Sequence, residues 1–375
     1  LEAVRRSVSK TGQSWFYAAL IAVWVKLFGS SELAMRMPST LLSLAACILV
    51  ARITATCRAK TSILASMLLA LAPMMTFVAT VARSYALGLF LCVLSIVFLR
   101  SWKEKKRARL LYYCAVTTAL AVYCHMTFAA ILPVNLLIAC EGGAHRVTKK
   151  ILIRVGIVLL VALLPTIFQS VILSEKEMLA VSVHDASPCL TMFFSHFFSV
   201  PIVLVTALIS SLKLSLFRRV ELLTISSWAR MRLGIVLYTI PKIMTFVGAI
   251  LINSTLLIPR YSALSCVGEA IITSSLLAAV KVRLWRVLLI LFTLLSAFAP
   301  YVLCSPPDTA WRPVIERAQE ISRMNNCKIF ALVGFAESKH VELISNEPIR
   351  SFIEAPLRYY KLQPAILLPA RAQSP

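Results

Sequence analysis

The chain has 375 residues, 59% of them hydrophobic and only 15% charged, with a formal net charge of +23 and a mean hydropathy of +0.83. That composition excludes a water-soluble globular domain and fits a polytopic membrane protein. The excess of Lys and Arg lies in short connections beside apolar stretches, and forms no basic arm or single helix stripe. This argues against nucleic acid as a partner and for membrane lipid headgroups.

Residues 1–36 form the first region, a polar start followed by Ser14 to Phe28. This stretch is short for a span, interrupted by Lys26, and rich in aromatics at Trp15, Phe16, Tyr17, Trp24 and Phe28. It predicts a helix lying in the membrane interface outside the cytoplasm. Residues 37–304 form the second region, an all-α transmembrane domain of about ten spans. These are expected near 37–54, 62–81, 84–100, 108–123, 127–140, 153–173, 191–211, 233–253, 262–280 and 286–304, each close to the ~20 residues that cross a bilayer. After Cys304, the cluster Ser305, Pro306, Pro307 and Asp308 marks a boundary. Residues 305–375 are expected to form a small extracytoplasmic α/β tail, with helical spacing over Arg312 to Met324 and a short strand at Lys328 to Phe335.

Charge alternates between the connections. Those at Arg52–Lys60, Arg100–Arg109, Arg146–Arg154, Lys213–Arg232 and Lys281–Arg286 hold 21 basic residues, whereas the opposite ones hold Arg83, Lys176 and Arg260. Retention of basic loops makes the first set cytoplasmic and the other face extracytoplasmic. Of the ten cysteines, Cys47, Cys92, Cys114, Cys124, Cys140, Cys266 and Cys304 lie in or beside apolar segments, and no CxxC pair occurs. Zinc and redox motifs are therefore not expected, and one disulfide between Cys189 and Cys327 is left open.

The basic residues on the sparse face are those that orientation does not explain. Arg83 sits in Ala82-Arg83-Ser84-Tyr85, and Arg260 in Pro259-Arg260-Tyr261. Two Arg-Tyr sites at one depth could clamp a phosphate, or could be interfacial anchors snorkelling to headgroups. Within the spans, Glu269 is the sole acid and Lys242 the deepest base, so the two could pair, as a structural ion pair before a catalytic one. His125, at an outer turn, reads as a polar cap. His184 and Asp185, with Glu175 and Glu177, read as a solvated outer loop that could instead supply a base or hold a metal; no metal-ligand cluster stands out. Gly-rich phosphate loops and dinucleotide fingerprints are absent, so an activated substrate would arrive within the lipid.

The run Gly12-Gln13-Ser14-Trp15-Phe16-Tyr17-Ala18-Ala19-Leu20, continuing through Trp24, Leu27-Phe28-Gly29, Ser31-Glu32 and Arg36-Met37-Pro38-Ser39, resembles the second-span region of lipid-linked-sugar glycosyltransferases of the GT-C superfamily. Members of this kind include protein mannosyltransferases and the lipid A aminoarabinose transferase. Leu71-Ala72-Pro73, Ala82 to Leu87, Pro259-Arg260-Tyr261 and Trp311-Arg312 resemble further motifs in the same order. The resemblance implies transfer of a sugar from polyprenyl phosphate to a glycan, lipid or protein acceptor on the outer face of the plasma (inner) membrane. It makes Arg83, Tyr85, Arg260 and Tyr261 candidates for holding the donor phosphate, with Arg36, Lys242 and Glu269 shaping the cavity. It also puts the acidic base in the first outer loop, upstream of Leu1, so the chain reads as N-terminally truncated. Paired prolines of the family pattern are replaced by Ser14 and Trp15, and Val81 stands where many members carry an acid. Two other readings stay open: a transporter or flippase of a lipid-linked substrate, and a non-catalytic subunit of the same fold that binds lipid phosphate.

Overall fold

In the bilayer core no water is present to bond the backbone, so each apolar stretch must satisfy its own N–H and C=O groups as a helix. The structure, a computed structural model, describes residues 15–55, 59–140, 156–160, 163–164, 225–252, 262–279, 283–303, 317, 319–321, 324, 329–333 and 365–369. The helices are α1 (Trp15–Phe28), α2 (Glu32–Thr54), α3 (Ala59–Leu71), α4 (Pro73–Thr80), α5 (Tyr85–Lys105), α6 (Ala108–Cys124), α7 (Ile131–Cys140), α8 (Ile225–Ile252), α9 (Ser265–Ala279) and α10 (Arg283–Leu303). Leu33–Thr54, Tyr85–Lys105 and Ala229–Gly248 are long and apolar enough to cross a membrane, and α3 with α4 makes a fourth if the bent pair counts as one span. The protein is an all-α polytopic membrane protein over this region.

Two expected spans take a different form. The stretch 62–81 is bent by 63° between α3 and α4. Pro73 lacks an N–H and forces Ala72 into extended backbone at φ −63° and ψ 129°, which ends α3 one residue earlier. The Ala72 carbonyl then accepts from Met75 N at 2.8 Å and Thr76 N at 3.1 Å, starting α4. The stretch 127–140 opens as a 3-10 turn, Met126–Ala130, before α7 begins. The described α2 and α8 also start several residues before the expected 37 and 233. Most of 153–173 and all of 191–211 lie outside the described residues.

The core is apolar and continuous from α1 to α9. Val50, Leu69, Leu89, Ile96, Ile131, Leu237, Ile271 and Leu277 are fully enclosed. The other helix faces are apolar too: Leu41, Leu44 and Ile48 on α2 and Tyr113 and Val116 on α6 are exposed. A helix hydrophobic all round suits a lipid surround. Polar side chains join helices where lipid could not: Asn135 Nδ2 donates to Ser95 Oγ at 3.1 Å and Thr118 Oγ1 at 3.0 Å, and Ser66 Oγ donates to the Cys47 carbonyl at 2.9 Å. Backbone meets backbone where α8 crosses α9. A Cβ on Gly268 would stand 2.4 Å from Tyr238 N, and one on Gly234 2.8 Å from Ile272 Cγ1.

Structural contacts group the chain into two units, Leu1–Phe298 and Ala299–Pro375. In the second, β1 (Ile329–Val333) pairs in parallel with β2 (Ala365–Pro369), in register from Ile329↔Ala365 to Val333↔Pro369. β1 falls where the sequence predicts a strand. β2 was not read from the sequence because Pro364 and Pro369 bracket it, and proline is tolerated at strand ends while it argues against a strand interior. Arg317, Gln319 to Ile321 and Met324 are helical, and Arg317 Nη1 pairs with Glu320 Oε2 at 2.6 Å on the surface.

Candidate functional site

The segment that carries the first motif folds as a helix hairpin. Gly29, at φ +83°, ends α1 in a backbone conformation that glycine adopts without strain, and its N–H bonds the Val25 carbonyl at 2.9 Å. Two residues later Ser31 caps α2, its Oγ accepting from Ala34 N at 3.2 Å. Trp24 Nε1 donates to the Ala34 carbonyl at 2.8 Å across the hairpin. The two halves of the motif also meet through their side chains, where the Tyr17 hydroxyl and Ser39 Oγ lie 3.1 Å apart and buried. Arg36, between them, is exposed.

Arg83 occupies the turn between α4 and α5, half-buried, with its N–H donating to the Val81 carbonyl at 2.8 Å. That bond spans three residues and folds the chain sharply at Ala82. Tyr85 begins α5 and is 4% exposed. Its ring packs on the imidazole of His125, with centroids 5.2 Å apart and planes tilted by 38°. His125 Nδ1 accepts from Thr127 N at 3.3 Å and lies 2.9 Å from Thr127 Oγ1. The first bond caps the 3-10 turn and, in the neutral ring, leaves the proton on Nε2 as a donor. His125 is therefore a cap, as its sequence suggests, and also a neighbour of Tyr85, which the sequence did not suggest. The two are forty positions apart.

Gly88 makes that neighbourhood. A Cβ there would stand 2.2 Å from Phe128 Cε2 and 2.4 Å from Cδ2. One turn along α5 from Tyr85, glycine lets the 3-10 turn carrying His125 and Phe128 lie directly on the helix. An isolated glycine inside Tyr85-Ala86-Leu87-Gly88-Leu89-Phe90 was the one sequence signal of a close approach.

Lys242 and Glu269 are 1% and 2% exposed, on the two helices joined at Gly234 and Gly268. Lys242 Nζ donates to the Tyr238 hydroxyl at 3.0 Å and sits 4.1 Å from that ring's centroid. The in-span acid and base are thus both buried on two helices in contact, with Tyr238 bonded to Lys242. Arg260, Tyr261, His184, Asp185, Glu175, Glu177, Cys189, Cys327, Trp311 and Arg312 lie outside the described residues. Among the described residues no group of three or more His, Cys, Asp or Glu could hold a metal ion.

Comparison with known proteins adds a family. Residues 13–168 match the model of the dolichyl-phosphate-mannose-protein mannosyltransferase family. The matched stretch runs from the first hairpin through the Arg83 turn, Tyr85 and His125, and ends before α8. No match is found among curated proteins or among solved structures. Over residues 13–168, a little under half of its length, this membrane protein is similar to the dolichyl-phosphate-mannose-protein mannosyltransferases, which are glycosyltransferases of the GT-C type.

Proposed function

We propose that the chain is a membrane glycosyltransferase that moves a sugar from a polyprenyl-phosphate donor to an acceptor on the extracytoplasmic face of the membrane. The observation that carries this reading is the family match over residues 13–168, whose residues include the half-buried Arg83 and the Tyr85–His125 pair at one helix end. In the reaction an acceptor oxygen attacks the anomeric carbon, the bond from that carbon to the phosphate oxygen breaks, and polyprenyl phosphate leaves with the electron pair. Negative charge grows on the phosphate, so the groups that matter most are donors fixed beforehand around it. Arg83 supplies a fixed positive charge and a planar fork for two phosphate oxygens. The Tyr85 hydroxyl supplies a neutral donor, oriented by the His125 ring against it. Arg260 and Tyr261 are proposed for the same phosphate by resemblance to the family's late-span motif. The acceptor proton passes to a carboxylate base, assigned by resemblance to the first outer loop of the family.

A transfer assay with radiolabelled polyprenyl-phosphate sugar in reconstituted vesicles tests this reading. Arg83→Gln and Arg260→Gln should each lower turnover by about 10²-fold, the usual cost of losing one transition-state donor, with membrane insertion unchanged. Full activity in both variants would end the phosphate assignment. Donor carried across the bilayer without product would replace the transferase reading with that of a flippase.

A further inference from the structure

The end of the bundle that holds the basic connections uses its cations in three ways. Arg100 Nη1 donates to the Ile53 carbonyl near the end of α2, and Lys103 Nζ to the Ile138 carbonyl near the end of α7 at 2.7 Å. Those two act as caps, since the last carbonyls of a helix lack intrahelical partners and carry partial negative charge. Arg232 is exposed, as expected of a residue that only orients the chain. Arg230 fits neither pattern. It is 4% exposed, and among the described residues nothing hydrogen-bonds its Nε or Nη1.

A buried guanidinium with unmet donors is costly. It cannot shed its proton, and stripping the water from it costs several kcal/mol unless an anion takes its place. Its depth says which anion. Arg230 and Arg232 precede the apolar run that begins at Leu233 within Ile225–Ile252, so Arg230 stands at the edge of the hydrocarbon, level with the headgroups. Arg232, two residues on, points about 200° away around the helix at 3.6 residues per turn, which explains why one is enclosed and its neighbour is exposed.

The helix partner supplies a second unmet group at the same level. α8 and α9 run antiparallel through Gly234 and Gly268. Arg230 lies about 6 Å beyond that crossing and Thr273 about 7.5 Å beyond it on α9, at 1.5 Å per residue. Thr273 is 1% exposed, and its Oγ1 also has no hydrogen-bond partner.

We infer that Arg230 anchors a binding site for a phosphate group at the basic end of α8 and α9, separate from the site proposed around Arg83. The phosphate is that of an anionic lipid headgroup or of a soluble phosphate; both offer the spread of oxygens that a guanidinium takes in two bonds. The basic connections nearby raise the local concentration of either.

Thermal unfolding of the full chain, delipidated in a neutral detergent, tests the inference with three probes: phosphatidylglycerol, inorganic phosphate and uncharged diacylglycerol. Phosphatidylglycerol should raise the midpoint of the natural protein, diacylglycerol should not, and Arg230→Met should abolish the rise. The unliganded Arg230→Met protein should itself be at least as stable as the natural one, because replacing a buried charge with an apolar chain of similar size removes its desolvation cost. Should that variant fail to insert, Arg230→Lys keeps the charge without the fork and should bind phosphatidylglycerol roughly tenfold more weakly, as loss of one charge-assisted bond implies. An Arg230-dependent rise with inorganic phosphate equal to that with the lipid would assign the site to a soluble phosphate. Equal rises in natural and Arg230→Met proteins, or no rise with either phosphate, would overturn the inference.

Discussion

The two ends of the bundle are held by different chemistry. At the end of Arg83, besides the Trp24 bond to the Ala34 carbonyl, side chains pack on one another and on a glycine: Tyr17 with Ser39, Tyr85 with His125, and Phe128 seated on Gly88. At the opposite end, Arg100 and Lys103 reach for backbone carbonyls of α2 and α7. A carbonyl cap depends on the helix ending there and little on which residues surround it. Packed side chains depend on several particular residues at once, so the Arg83 end is specified more tightly and tolerates less change. That asymmetry fits a site at one end and an orienting, anchoring role at the other.

Substitutions can sharpen or break this contrast. The largest effect is expected for Lys242→Met, on the half of α8 nearer the Arg83 end. It leaves Glu269 buried without its ammonium, a loss of about 3–5 kcal/mol, read as a collapse of the thermal midpoint. Lys242→Met with Glu269→Gln should recover most of that loss, and failure to recover would show that the two charges are not coupled. Next comes Arg83→Gln, expected to cost about 10²-fold in donor-dependent turnover, or about 2.7 kcal/mol of transition-state stabilisation, with little change in stability. Gly88→Ala should cost about 1–3 kcal/mol of stability through overpacking against Phe128. It should also lower turnover by displacing His125 from Tyr85; a variant as stable and active as the natural protein would remove Gly88 from the account. Asn135→Ala, which breaks the bonds to Ser95 and Thr118, should cost about 0.6–1.7 kcal/mol in a membrane. Smallest should be Lys103→Met, about 0.3–1 kcal/mol for a helix C-terminal cation. If Lys103→Met proved costlier than Gly88→Ala in the same unfolding assay, the contrast between the two ends would be reversed.

Some of the site was legible before the fold. The Arg83 turn stood out because its charge lies on the sparse face, and Lys242 and Glu269 stood out as charges within apolar spans, both of which the fold buries. The bend at Pro73 was missed because hydropathy averages over a window and does not register one residue that disrupts the helix. His125 was read only as a cap because its relation to Tyr85 depends on the packing of two helices and the 3-10 turn between them. Arg230 was counted among the orienting charges, and nothing in its immediate sequence separates it from Arg232.

By itself the sequence determined the class of the protein and most of the described segments that become helices. Those are properties of single stretches about the length of a bilayer crossing, in which burial of apolar side chains and backbone self-satisfaction decide the outcome locally. Only the tertiary structure decided which side chains share a place: Tyr17 with Ser39, Tyr85 with His125, α8 against α9 at two glycines, and Arg230 enclosed beside an exposed Arg232. In lipid no hydrophobic force selects helix neighbours, so close packing and a few polar contacts choose them, and those are set by residues far apart in the chain.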